Sequence, residues 1–401
     1  MIRVASLFSQ LLKHIPRGNF NALVNEHRAE RGAKGFSCWT QFVAMVFCHL
    51  ARADSLREIC NGLACAQGKL NHLGVGRAPN KSTLSYANAH RPAAFFEALF
   101  WRTLECFRGQ SALGARKGKF RFKNKLLSLD STTISLCLTL FPWADFRRAK
   151  GGVKVHVLLD HDDYLPAFAL ITEARPHDRK AAAHFRLNPG SIVAMDKAYN
   201  DYGLFSSWTQ QGVFFVTRLK DNADYTVVRE RPVPQNRNIL SDQEIVWNGK
   251  QAREKCPHTL RRVTVWDAPN EREIVLLTNH LEFGATTIAA IYKDRWQIEL
   301  FFKALKQNLK VKSFVGTSEN ALRIQIWTAL LALVLLKWLH HLSRVGWSLS
   351  NLVSLLRLNL FHYQDLTEWL HHPFGPPRQN TAGAGLVQLE LDHGQATRHV
   401  Y

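Results

Sequence analysis

"LLSLDSTTISL", residues 126–136, is where the chain changes character. Leu, Ile and Thr dominate it, no Gly or Pro interrupts it, and it reads as a β-strand. Asp130 is the misfit, because a carboxylate within or closing an apolar strand is costly unless something compensates its charge. Downstream the pattern stays rich in strands. "GGVKVHVLLD" (151–160) alternates and then runs apolar, "HDDYLP" (161–166) reads as a tight turn, and "AFALITEA" (167–174) as the returning strand. "DRKAAAHFRL" (178–187) predicts a helix and "SIVAMDKAY" (191–199) a short buried strand that ends at Asp196. "DYGLFSSWTQQG" (201–212) predicts a helix stopping at Gly212, and "VFFVTRLK" (213–220) one more strand. The order β-β-β-α-β-α-β combines a hairpin-type start with βα units, so the fold class is α/β with a mixed sheet.

A third acid lies further on. "IYKDRWQIELFFKALKQNLK" (291–310) has no Pro or Gly and reads as one helix. At about 100° per residue, Tyr292, Arg295, Glu299 and Lys306 share an arc of about 60°, with Lys303 and Lys310 close by. Ile291, Ile298, Phe302, Leu305 and Leu309 form the neighbouring apolar face, expected to pack on the sheet. Two strand-end acids and one helical acid fit a single site at a sheet edge. Such a set can hold a pair of magnesium ions about 3.5–4 Å apart, which suits phosphodiester chemistry. Each acid also has a local reading. Asp130 suits a turn or cap, Asp196 suits a cap for the helix that follows, and Glu299 suits pairing with Arg295 and Lys303.

Between the second and third acids, about 221–280, lie the strand-like runs "YTVVRERPVP", "EIVWNGK", "RRVTVWDA" and "EIVLLTN", read as a β-rich insertion. Ahead of the sheet, residues 1–110 are mostly helical by period, in "FSQLLKHI", "FVAMVFCHLARA", "SLREICNGLACA" and "PAAFFEALFWRTLECF". Pro79 and Asn80 mark a turn, with Ser82 or Thr83 as the cap of a short helix carrying Lys81 and Arg91, a pattern suited to groove or phosphate contact. After the helical acid come "ENALRIQIWTALLALVLLKWLHHL" and "SLSNLVSLLRLNLF", both helical, and from Gly375 a Pro-, Gly- and Ala-rich tail.

Composition narrows the function. The 401 residues carry a formal net charge of +20, and the pI is about 9.9. Residues 1–125 hold 20 Lys and Arg against 6 Asp and Glu, a net +14. A polyanionic partner, nucleic acid first, is the reading. The densest run is "RKGKFRFKNK" (116–125). Lys119, Arg121 and Lys123 interleave with Phe120 and Phe122, which suits phosphate contact with apolar grip, although a solvated linker has the same composition. Seven cysteines without a CxxC pair point to buried thiols in a reducing cytoplasm. The N-terminus reads as no signal peptide, and the most apolar stretch, "IWTALLALVLL" (326–336), reads as a core helix. His156 alternates with Val155 and Val157 and reads as a hydrogen-bonded core histidine, while Asp160, Asp162 and Asp163 read as turn residues.

The spacing Tyr292-x2-Arg295-x3-Glu299-x6-Lys306 resembles the YREK motif of DDE transposases of the insertion-sequence-4 family. "DKAY" (196–199) resembles that family's second aspartate block and "LLSLDST" its first. The resemblance covers roughly 120–335. It implies a ribonuclease H-like fold with a β-rich insertion, preceded by a helical DNA-binding domain (1–115) and followed by C-terminal helices and tail (336–401). It implies Asp130, Asp196 and Glu299 as catalytic, metal-binding acids for two Mg2+ ions, with Mn2+ accepted, and Tyr292, Arg295 and Lys306 as holders of end phosphates. Some relatives catch a flipped base on a tryptophan in the insertion. The matching place lies near Ile274, with Trp266 close by. The implied partners are double-stranded DNA, as terminal inverted repeats and target, and a second copy in a synaptic homodimer, all in the cytoplasm and at the nucleoid. Two other readings stay open: another ribonuclease H-like nuclease, and a transposase-derived DNA-binding protein without catalysis.

Overall fold

The computed structural model describes residues 5–375 except 67, 111–118, 137–140, 142, 144, 148–149, 174–184, 236, 310 and 312. Most of the helix expected over 178–187, together with Cys137, Lys310, residues 116–118 of the basic run and the tail beyond Gly375, lies outside the described residues.

The strand β1 (Leu126–Leu136) organises the sheet. On one side it pairs antiparallel with β3 (Lys150–Asp160), Asp130 standing opposite Val157. On its other side it runs parallel to β5 (Ile192–Met195), with Leu129 opposite Met195. β3 turns back into β4 (Leu165–Glu173), and the short β2 (Asp145–Arg147) joins the start of β3. The turn is built as its acids suggest: Asp160 Oδ1 accepts the Asp162 amide at 3.0 Å and Asp163 Oδ1 the Leu165 amide at 2.8 Å. After β5, helix α7 (Tyr202–Gln210) crosses to β6 (Phe214–Arg218), parallel to β5. Asp201 caps that helix, accepting the Leu204 amide.

The next interval, read as an insertion, differs from expectation in one respect. β7 (Tyr225–Glu230), β8 (Ile239–Trp247), β9 (Leu260–Asp267) and β10 (Arg272–Thr278) form a meander with a short helix α8 (Lys250–Lys255) after β8. β10 then pairs antiparallel with β6, Leu276 opposite Arg218. The described strands therefore make one sheet in the order β2-β3-β1-β5-β6-β10-β9-β8-β7, with β4 on β3. The reason is the edge of β6, whose backbone groups would otherwise lack partners.

Six helices precede the sheet: α1 (Leu7–Leu12), α2 (Arg17–Glu26), α3 (Cys38–Ala51), α4 (Leu56–Cys65), α5 (Lys81–His90) and α6 (Ala93–Gln110). α5 starts at Lys81 with Asn80 as its cap residue, not Ser82 or Thr83. Past the sheet come α9 (Ala285–Asp294), α10 (Trp296–Asn308), α11 (Glu319–Leu342), α12 (Leu349–Leu358) and α13 (Leu366–His371). The single helix expected over 291–310 is thus two. Arg295 separates them, keeping right-handed dihedrals of −51° and −28°. Two bonds of i→i+3 type, Arg295 N to Tyr292 O and Ile298 N to Arg295 O, tighten the chain there.

α11 is long and apolar enough to cross a membrane by length and composition, yet 89% of its most apolar window is buried within the protein. It packs against α3, α5, α6 and α12. One core joins the helices of the first hundred residues, α11 to α13, α10, and the β3–β4 side of the sheet. Main-chain bonds Leu7 N to His362 O and Phe8 N to Leu360 O tie the first helix to the segment after α12. Cys38, Cys48, Cys60 and Cys256 are buried free thiols.

Within this core, His49 of α3 lies at 3.0 Å from the Thr328 hydroxyl of α11, and burial pushes its pKa down to about 3. A base that stays neutral when folded but protonates near pH 6.5 when unfolded costs stability as the pH falls below about 6.5. His49→Leu should therefore flatten the loss of melting temperature between about pH 6.5 and 4. Equal slopes for both proteins would contradict this account.

Candidate active site

Asp130 and Asp196 directly follow the paired residues Leu129 and Met195 on adjacent parallel strands. Asp130, within β1, and Asp196, just past the end of β5, therefore stand side by side at strand spacing of about 4.8 Å. Glu299 comes from the first turn of α10. What joins it to the strands is Arg295. Its Nη1 donates to Asp130 Oδ2 at 3.1 Å and its Nη2 to Glu299 Oε1 at 2.7 Å. The structure thus brings the three acids together, although Asp196 also caps the 197–199 turn through the Ala198 amide and Glu299 also makes its i,i+4 pair. The local readings of these two acids hold as local contacts. The shared site is added by tertiary packing.

The electrostatics follow from the crowding. Burial pushes the Asp130 carboxyl up to about 6. Asp196 and Glu299 add to the push, while Arg295 and the Ser131 amide oppose it. Burial also raises the Tyr292 hydroxyl, with Arg295 and Arg218 opposing and Asp196 adding to the rise. The Arg295 guanidinium lies 5.5 Å from the centre of the Tyr292 ring. Lys306 donates to the Thr133 carbonyl of β1 at 3.2 Å, and Lys303 is exposed. An open groove lined by Asp196, Lys197, Ala198, Lys220, Asp221 and Asn222 passes the second acid. Among the described residues, no group of three His, Cys, Asp or Glu side chains is already disposed to hold a metal ion.

Several basic residues singled out in the sequence have other employment. Arg91 is buried. It donates to Gln41 Oε1 at 3.0 Å and to the Phe36 carbonyl, while Asn88 accepts from Gln41 at 2.7 Å. These bonds dock α5 on α3, so Arg91 is a fastening inside the helical body and not a phosphate contact. Lys81, at the other end of α5, is exposed. Lys119 pairs with Asp294 at 2.8 Å. Arg121 and Lys123 are exposed, but the rings between them face inward. Phe120 stacks on Phe122 and Phe122 on Phe283, each pair 5.0 Å apart. The apolar grip of this run is spent on the protein itself. Trp266, 39% exposed on β9, stands opposite Glu273, the neighbour of Ile274. His156 is a core histidine, hydrogen-bonded to Tyr199 and Thr172 at 3.1 Å.

One network escaped the sequence reading. Ser128 Oγ lies 2.6 Å from His161 Nε2, and His161 Nδ1 lies 2.8 Å from Asp294 Oδ2. Asp294 Oδ1 receives Lys119. The Ser128 side chain is buried, so the arrangement fastens and does not attack. It ties the strand of Asp130 to the last residue of α9, just before Arg295. Its only trace in the sequence is one Asp ahead of Arg295 and a His in a turn crowded with acids.

A mixed sheet that opens with an antiparallel hairpin, continues in parallel through helical crossings and gathers acids at β1, β5 and a following helix defines a ribonuclease H-like fold of the transposase type. The chain belongs to the transposase DDE domain family, whose model matches residues 121–335. Residues 3–76 match a domain of unknown function, DUF4372. A protein of Sinorhizobium fredii named as transposase y4zB is 34% identical over 292 residues, 72% of this chain and 80% of its own. One from Geobacillus stearothermophilus, named as a transposase for insertion sequence element IS5377, is 30% identical over 59% of this chain and 63% of its own. A third from Synechocystis, named for element IS4SA, is 26% identical over 74% and 82%. The protein is accordingly an enzyme of the transposase class, acting on DNA.

The hydrogen bonds of His161 and Lys119 hold the Asp294 carboxyl below its ordinary value against the opposing effect of burial. A depressed acid stabilises the fold above its unfolded pKa and loses that contribution as the pH falls through the folded value. Asp294→Asn should therefore cost on the order of 2 kcal/mol at pH 7, seen as a lower melting temperature. The difference from wild type should shrink below about pH 4.

Proposed function

We propose that this enzyme is a DDE transposase of the insertion-sequence-4 family, with Tyr292, Arg295, Glu299 and Lys306 as its YREK motif. It binds the terminal inverted repeats of an insertion sequence, cleaves the ends and joins them to target DNA. The observation that carries this reading is the convergence of Asp130 and Glu299 on one guanidinium, with Asp196 beside them on the next strand.

The residues fit a divalent cation in two respects. The donor set is all carboxylate oxygen, which suits hard ions such as Mg2+, with Mn2+ accepted. Burial, with a smaller push from Asp196 and Glu299, raises Asp130 to about 6, and a cation beside its carboxylate would offset that cost. Asp130, Asp196 and Glu299 would hold two ions. When bound, these activate a water or a 3′-hydroxyl and stabilise the leaving oxygen. The side chains of the α9–α10 stripe do the positioning. Tyr292, Lys303 and Lys306 orient end phosphates, and Arg295 does so once it leaves the acids. Lys197 and Lys220 line the groove beside Asp196 and suit the same backbone. Arg121 and Lys123 extend the basic track, with Lys119 bracing it through Asp294. The helical domain over 1–115, including exposed Lys81, grips DNA away from the scissile bond. Two ends must be brought together, which calls for a homodimer on DNA. Such work belongs in the cytoplasm, at the nucleoid.

The test uses purified full-length protein and labelled duplexes carrying the sequences that flank the reading frame. Wild type with Mg2+ or Mn2+ should cut at the ends and join them to a target. Asp130→Asn, Asp196→Asn and Glu299→Gln should each reduce cutting by at least about 10³-fold while retaining binding of the end duplex. Cleavage of branched DNA without preference for ends would favour a different nuclease. Binding without cleavage by the wild type would mark a protein that has lost catalysis.

A further inference from the structure

Arg295 stands between two of the three acids. Its side chain is 13% exposed and reaches Asp130 with one terminal nitrogen and Glu299 with the other. Its Nε is buried without a hydrogen-bond partner. The guanidinium therefore fills the space that an ion shared by those two acids would need. Because an arginine does not give up its proton near neutral pH, it can vacate that space only by moving. The tightened step in the chain at residue 295, between α9 and α10, is where its stem is rooted.

Two consequences follow. Without a metal, three crowded and partly buried carboxylates would repel one another, and Arg295 offsets part of that cost. With a metal, the displaced guanidinium needs a new anion, and its planar fork matches a phosphate. We propose that Arg295 is the resident counter-ion of the metal-free site, and that divalent metal and DNA displace it together. Metal then frees Arg295 for a DNA phosphate, and DNA lowers the cost of admitting metal. Because coupling between two ligands is reciprocal, each tightens the binding of the other. This inference rests on the proposed assignment of Asp130, Asp196 and Glu299 as metal ligands.

The experiment measures Mn2+ binding by calorimetry and by electron paramagnetic resonance, with and without an end duplex. It compares wild type, Arg295→Gln, Arg295→Lys and Asp130→Asn, with circular dichroism as the check on folding. In wild type, DNA should tighten Mn2+ binding roughly tenfold. Without DNA, Arg295→Gln should bind Mn2+ roughly tenfold more tightly than wild type and show little further gain from DNA. Its metal-free melting temperature should be lower. Arg295→Lys, a single-point cation, should fall between the two. The proposal is overturned if Arg295→Gln binds Mn2+ no more tightly than wild type while Asp130→Asn weakens it, a result that leaves the metal assignment standing. If Mn2+ binding is absent in wild type, or indifferent to Asp130→Asn, the metal assignment fails and takes this inference with it.

Discussion

Bringing three carboxylates to one place in a partly dry environment is the constraint around which the catalytic half is arranged. Asp130 and Asp196 are neighbours because β1 and β5 run parallel and in register. Glu299 reaches them because α10 is held against β1 by buried Ile298, Phe301, Phe302 and Leu305. The repulsion so created is offset by Arg295. The residue that leads into the helix of the third acid therefore supplies the cation that makes the cluster tolerable. A site of this kind is expensive as structure and makes sense as a receptor for positive charge.

Several features around the acids and beyond them keep this geometry in place. The Ser128–His161–Asp294–Lys119 network fastens β1, the β3–β4 turn and the end of α9. Arg261, fully buried, grips Asp242 with two nitrogens at 2.8 and 2.7 Å. It also donates to the Phe283 carbonyl, just ahead of α9. The β-rich stretch is thereby anchored to the segment that launches α9. In the same core as α10, the middle of α11 is buried around its circumference because helices and sheet cover it together. Its hydropathy records two-sided burial.

The basic charge of the chain divides into two kinds. Arg91, Lys119, Arg261 and Arg295 are spent on acids and carbonyls of the protein itself. Lys81, Arg121, Lys123 and Lys303 stand exposed. An overall excess of positive charge thus indicates an anionic partner without saying which residues meet it. A long basic side chain can serve either end, and the partner that tertiary structure sets beside it decides which.

Local pattern carried much of this protein. The strands of the hairpin, the helices α3, α6 and α11, the acid within β1 and the acid after β5 were legible because alternation, helical period and an isolated charge in an apolar run are short-range signals. The sheet partner of β10, the break at Arg295 and the inward turn of Arg91 and of Phe120 and Phe122 were not. Each of these depends on contacts between distant positions. The Arg295–Asp130 bond spans 165 residues, a separation that no window of sequence encompasses. The sequence by itself determined which groups were available to the site. Tertiary structure decided which cation stands among the acids, because only packing of α10 on β1 brings a guanidinium within reach of both.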